Sequence, residues 1–252
     1  MLAFGTHPDD LEIACGGTLI LLARQGYRVG AADLTRGELG TRGSAEIRAR
    51  ETEAANKVLG LALRVNLGIP DGNIETSQEN LTSVIRLIRR HRPLLVLAPY
   101  WEERHYDHVH ASNLVSEAAF YSGLAKIETG EESYRPFRVL YYVSRMEFTP
   151  SFVVDISAAF AAKMDALRCY GSQFHPGKPA ARSTKLSKEK ETLISTPLAW
   201  EVFETLSRYY GAMIGARHGE PFLMREALEL ADLVAFFRTF PASRRAHLFP
   251  AR

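Results

Sequence analysis

The chain reads as an α/β protein built on a doubly wound, mostly parallel sheet with helices on both faces. Short apolar runs rich in β-formers recur at residues 2–4, 28–34, 63–67, 94–98, 139–143 and 152–156. Helix-like stretches fall between or after them at 17–25, 44–59, 77–91, 108–121 and 158–170. Strand–helix–strand alternation of this kind implies parallel pairing through right-handed crossovers. In such sheets ligands bind beyond the carboxyl ends of the strands.

Taken in order, the first run is followed at once by THPDDLE, residues 6–12. Alone, this stretch reads as an acidic helix start, with Pro8 at the first helical position and the acids opposing the helix dipole. Ser44, followed by Glu46 and Ile47, has the pattern of an N-cap, and Gly60 stands where a C-cap belongs. The run 94–98 leads into WEERHYDHVH, residues 101–110. Residues 175–196 are rich in Pro, Lys, Ser and Thr without apolar periodicity, and read as a long loop. Residues 197–214 look helical again, and 197–252 form a C-terminal subregion of mixed character. One domain, 1–252, accommodates all of this, and the length is ample for a buried core.

Composition narrows the function. A formal charge of +2 gives no reason to expect nucleic acid or an anionic membrane as partner. No apolar run approaches the roughly 20 residues that span a bilayer, and the N-terminus lacks the pattern of an export signal. Two cysteines, Cys15 and Cys169, form no CxxC pair, which fits a reducing cytoplasm and no disulfide framework. Gly16–Gly17 matches no nucleotide-binding glycine pattern.

The second cluster changes the reading of the first. Three of the chain's eight histidines, His105, His108 and His110, stand in ten residues with Asp107 and two glutamates. Both clusters follow expected strands, so they can converge at one edge of the sheet although about a hundred residues separate them. His7, Asp10 and one histidine of the second cluster make a two-His-one-carboxylate set, which leaves a position for water as a catalytic zinc requires. The metal would lower the pKa of that water from its bulk value towards roughly 7. Asp9 is then the natural proton acceptor, and His105 with Asp107 could stabilise a developing oxyanion. The same donors bind Fe(II) in oxygenases, but those usually sit on β-rich folds. A non-catalytic binding module would have no need of Asp9, His105 and Asp107 together.

HPDDLE paired with HYDHVH resembles the LmbE-like (PIG-L) family of metal-dependent N-deacetylases, whose motifs are [A/G]HPDDxE and HPDHxH. The likeness extends to DLTRGELGTRGSAEIRARE, the IPDG turn and GARHGEPF. It implies a Rossmann-like three-layer sandwich and removal of acetyl groups from N-acetylglucosamine-type sugars. Carried over position by position, it implies Zn2+, or Fe2+ in the cell, on His7, Asp10 and His108. Asp9 would be the general base, His105 the oxyanion stabiliser and Asp107 its orienting partner. Arg48 and Asp71 match positions that contact sugar hydroxyls. Tyr106 stands where the family pattern has Pro.

LAPYWEERHYDH, DLTRGELGTRG and PSFVVDIS most resemble the bacillithiol-biosynthesis deacetylases, which implies N-acetylglucosaminyl-malate as substrate. The malate carboxylates would meet Arg145, Lys178 or Arg182. The resemblance also implies a homo-oligomer. Tyr100 and Trp101 are placed either to stack on a sugar or to pack in the core. Glu12 is expected to cap or pack, and Cys15 to be a small buried residue. Tyr170, Gln173 and His175, at the start of the long loop, could line the pocket.

Overall fold

A computed structural model describes residues 1–174 and 189–239. Seven strands form one sheet in the order β3-β2-β1-β4-β5-β7-β6. They are β1 (Leu2–Gly5), β2 (Gly30–Asp33), β3 (Leu63–Asn66), β4 (Leu95–Pro99), β5 (Arg138–Tyr142), β6 (Phe152–Asp155) and β7 (Gly219–Met224). The first five pair in parallel, with Leu2 opposite both Gly30 and Val96. The α/β expectation and the six strands read from the sequence are therefore present, each within a residue or two.

The helices are α1 (Asp10–Ala14), α2 (Gly16–Arg24), α3 (Ala45–Leu59), α4 (Gln78–His91), α5 (Tyr106–Tyr121), α6 (Phe160–Arg168), α7 (Leu198–Met213) and α8 (Leu233–Arg238). Successive strand residues face opposite sides of the sheet. Leu2 and Phe4 pack under α4 and α5 with Ile85, Ile88 and Leu114. Ala3 and Ala31 face the other way, against Leu11, Leu19 and Leu59 of α1, α2 and α3. Ser44 Oγ accepts the Ile47 N–H at 3.3 Å, and Gly60 closes α3 in the left-handed region at φ 70°. No helix among the described residues is long and apolar enough to cross a membrane.

Three features depart from the sequence reading. Pro8 lies before the N-cap rather than at the first helical position, because Asp9 is the cap of α1. The helix start expected at THPDDLE is present as α1 with Asp10 and Glu12 in its first turn, but it is a separate short element, broken from α2 at the fully buried Cys15. The largest miss is β7, which runs antiparallel between β5 and β6. Its sequence GEPFLM contains Pro221 and Glu220, and a proline argues against an inner strand. Pro221 sits opposite Val153.

Glu220 explains what this strand brings. Its carboxylate accepts the N–H groups of Gly17 and Thr18 at 2.9 and 2.7 Å and the Lys163 ammonium at 2.6 Å. No side chain of the cap residue, Cys15, serves the start of α2, so a strand some two hundred residues away supplies its acceptor. Gly17 must be glycine here, since a Cβ would lie 2.8 Å from Ile156. Lys163 and Glu220 are both buried. Replacing Glu220 with Ala strands the lysine charge and is expected to cost about 3–5 kcal/mol, read as a lower urea midpoint.

Candidate active site

β1 and β4 are neighbours at the point where the strand order reverses: β2 and β3 lie to one side, β5 to the other. The turn after β1 carries His7, Pro8 and Asp9, and α1 begins at Asp10; after β4 the chain runs through His105 into α5. This crevice is where an open α/β sheet binds its ligands. The two histidine–aspartate clusters meet there, as the sequence leads one to expect.

Asp10 Oδ2 is the meeting point. It accepts the backbone N–H of His7 at 2.8 Å and lies 3.4 Å from His7 Nδ1 and 3.2 Å from His108 Nε2. Burial alone would raise the Asp10 pKa, but His108 and His7 hold it well below the carboxylate range. The converse holds for His108. Burial disfavours its charge, yet Asp10 pushes its pKa up.

His7 is gripped from its other nitrogen. Nε2 lies 2.9 Å from Asp71 Oδ1 and 3.3 Å from Asp107 Oδ2. Against burial, the carboxylates of Asp10, Asp107 and Asp71 raise its pKa well above that of a free imidazole. A neutral His7 that donates from Nε2 to Asp71 presents Nδ1 as a free lone pair towards Asp10 and His108, a common arrangement for a metal-ligating histidine.

One ligand atom from each of His7, Asp10 and His108 lies within 4.8 Å of the others, and a second such group is His7, His105 and Asp107. The donors suit a divalent cation. Two imidazoles that Asp10 now draws towards protonation would give up those protons to a metal in the same place. His108 Nδ1 is buried with no hydrogen-bond partner, leaving Nε2 as its working atom.

Asp9 stands apart from this cage. It is buried, and its backbone adopts φ 116°, ψ −24°, which few non-glycine residues take. Strain of this kind, of order 1–3 kcal/mol, gathers at functional sites. Burial pushes its pKa up to about 7, opposed by Arg48. Arg48 is itself buried, donates to Pro8 O at 3.0 Å and lies 3.9 Å from Asp9 Oδ2.

One expected contact is absent. The Asp107 carboxylate does not orient His105; it reaches His7 and accepts the Gly72 N–H at 3.0 Å. His105 is the N-cap of α5, and its Nδ1 instead accepts the backbone N–H of Asp107 at 3.2 Å. Side chains two apart in a helical turn do not face each other. Asp107 is held down to about 2, first by its bond to His7. Burial lowers the pKa of His105, so the ring is neutral near pH 7. With Nδ1 accepting, its proton sits on Nε2.

The remaining residues divide by place. The cluster opens into a cavity of about 750 Å³ lined also by Arg48, Asp71, Arg145 and Gln173. Asp71 also accepts the Leu39 N–H at 2.9 Å, which pins the 37–40 turn to the site. Tyr100 and Trp101 do not line this cavity. They pack on the core, and the Arg225 guanidinium caps the Trp101 ring at 4.1 Å. Tyr170 lies beneath the site, fully buried, donating to Glu12. Glu12 is neither cap nor ligand, for it and Asp33 bind the buried Arg64 between them. His175, Lys178 and Arg182 lie outside the described residues. Glu103 and Arg104 stand inside the second motif but were given no role from sequence, and the cavity wall from α7 carries no motif at all; these come together only through the fold.

A sequence profile described as PIG-L, GlcNAc-PI de-N-acetylase, matches residues 2–119. The diacetylchitobiose deacetylase of Thermococcus kodakarensis is 29% identical over 239 residues, 87% of this chain and 80% of its own. A probable N-acetyl-alpha-D-glucosaminyl L-malate deacetylase 2 of Bacillus anthracis is 26% identical over 77% of this chain and 88% of its own. The crystal structure of a conserved protein from Thermus thermophilus superposes with a TM-score of 0.80 at 35% identity, covering 91% of this chain and 96% of that one.

The grip on His7 is measurable without turnover. Asp71→Asn weakens the acceptor at Nε2, and Zn2+ affinity by chelator competition is expected to fall about 10–100-fold, the usual cost of losing such a partner.

Proposed function

This chain belongs to the PIG-L family, and we propose that it is a metal-dependent deacetylase that removes the acetyl group from an N-acetylglucosaminide. One observation carries the reading: His7, Asp10 and His108 bring three ligand atoms within 4.8 Å of each other, while the neighbouring Asp9 stays outside that set at a pKa of about 7. His7, Asp10 and His108 would hold the cation, with Zn2+ or Fe2+ both suited to these donors. When bound, such a cation polarises a carbonyl and lowers the pKa of a coordinated water.

The protein's own groups supply the proton traffic. Asp9 takes the proton of the attacking water and can return it to the departing amine nitrogen, a role that suits a carboxyl titrating near neutrality. The Nε2–H of neutral His105 donates to the carbonyl oxygen as negative charge develops on it. Asp107 and Asp71 act on His7 rather than on His105, keeping that ring oriented. Arg48 holds the strained turn through Pro8 O, and with Asp71 it lies where sugar hydroxyls would be met.

The finer substrate reading is N-acetylglucosaminyl-malate. Arg104 and Arg145 line the cavity, so an anionic aglycone would meet cations there. The malate deacetylase relative supports this choice, and the diacetylchitobiose deacetylase relative supports a plain GlcNAc oligosaccharide instead. Acetate release from GlcNAc-malate, GlcNAc and diacetylchitobiose, with and without added Zn2+, distinguishes them. Absence of acetate from all three with metal-loaded protein overturns the deacetylase reading.

Asp9→Asn is expected to lower kcat by roughly 100-fold or more while bound metal, counted by mass spectrometry, is retained. Asp9 must be ionised to accept a proton, so kcat/KM should fall as pH drops. The cation adds a positive charge beside Asp9, so this acid limb is expected at or below pH 7. The limb should vanish in the Asn variant.

A further inference from the structure

The cavity reaches well past the catalytic cluster, and its far wall has a different chemistry. Leu198, Val202 and Phe203 of α7 line it together with Leu193 and Ile194 of the 3-10 turn Leu193–Ser195 and Met146 after β5. Positions 198, 202 and 203 fall on one side of a helix. Phe203 is buried, but Leu193, Leu198 and Met146 remain 61%, 54% and 40% exposed.

Single exposed leucines are ordinary, whereas several large apolar side chains on one wall of one cavity mark a binding surface. Core packing accounts for Phe203 and Ile194, which join Ala199, Tyr170 and Phe174 in one cluster, while Tyr210 packs against Phe148. Leu193, Leu198, Val202 and Met146 belong to none of the core clusters of the described residues. The wall is also continuous with the reactive end, because the same cavity holds His7, Asp9, Asp10 and His108. At the border stands Arg145, whose guanidinium lies 5.8 Å above the Phe203 ring.

We propose that the α7 wall is an aglycone subsite that takes a hydrocarbon or aromatic group carried on the anomeric oxygen of the sugar. The proposal rests on the N-deacetylase reading but not on malate as the aglycone. The sugar amide would lie at the His7–Asp10–His108 end and the aglycone along Leu198 and Leu193. Arg145 at the border would accept an anionic group borne between the two. Burying several methylenes against this wall favours the apolar glycoside by tenfold or more.

Two measurements test this with the metal-loaded full chain. Acetate release is compared for methyl, hexyl and phenyl N-acetylglucosaminides below their micelle concentrations. The hexyl and phenyl KM values are expected about tenfold or more under the methyl value. Leu198→Ser and Leu193→Ser, both at exposed positions, should bring the hexyl-to-methyl ratio towards one without lowering Tm. In parallel, calorimetry compares binding of hexyl and methyl glucosaminide, the deacetylated products, and needs no turnover. Tighter hexyl binding that both serine variants weaken supports the subsite. Equal binding of the two products, or a preference that survives both substitutions, overturns it. A hexyl preference in binding with no acetate from any glycoside keeps the subsite and overturns the deacetylase reading instead.

Discussion

A single carboxylate oxygen organises the site. Asp10 Oδ2 is reached by the His7 backbone N–H, by the His7 ring and by the His108 ring. It therefore ties the turn after β1 to the first turn of α5. That junction exists only because β1 and β4 run side by side, with Leu2 beside Val96 and Ala3 beside Leu97. A shift of register there would part the imidazoles. Asp71 and Asp107 then lock His7 from the opposite nitrogen, so one imidazole is shared between three acids. So much negative charge in a buried crevice is costly without a cation, and the protein holds it in the geometry a cation would use.

Beneath that crevice lies a second charged layer, outside the cavity that the histidines line. Glu12 and Asp33 flank Arg64, and Tyr170 donates to Glu12. Burial works against the Arg64 charge, but Asp33 and Glu12 hold its pKa well above the usual arginine value. The layer connects α1, β2, β3 and the chain after α6. The strained Asp9 turn above it is held separately, by Arg48 donating to Pro8 O. Asp9 and Glu12 are three residues apart in one acidic run, yet one faces the cavity and the other the interior.

How much of this was legible follows from what each residue depends on. Local signals read well. The Ser44 cap, the Gly60 cap and the alternation of strands and helices depend on neighbours in sequence, and they stand where expected. The convergence of two distant clusters also read well, because strand order in a parallel sheet is constrained by crossover handedness. Contacts chosen by the fold did not. Glu12 finds Arg64 across 52 residues, and nothing in the spacing names that partner. Asp107 turned to His7, a hundred residues away, instead of to its near neighbour His105. β7 was hidden because its own composition opposes a strand, with Pro221 and a buried Glu220 at its heart. The apolar character of α7 was visible, but not that part of it borders the same cavity as the histidines.

The position of β7 has a consequence for the order of folding. It fills the gap between β5 and β6, both of which precede it in the chain. Until residues 219–224 have emerged from the ribosome, β6 has no strand beside it and α2 lacks the acceptor at its first turn. The turn carrying His7, Asp9 and Asp10 and the five parallel strands are complete long before. Domains generally fold as units, so the histidine–aspartate cluster, although its residues emerge early, gains its full enclosure only once the last strand has completed the sheet and α7 has packed on β7.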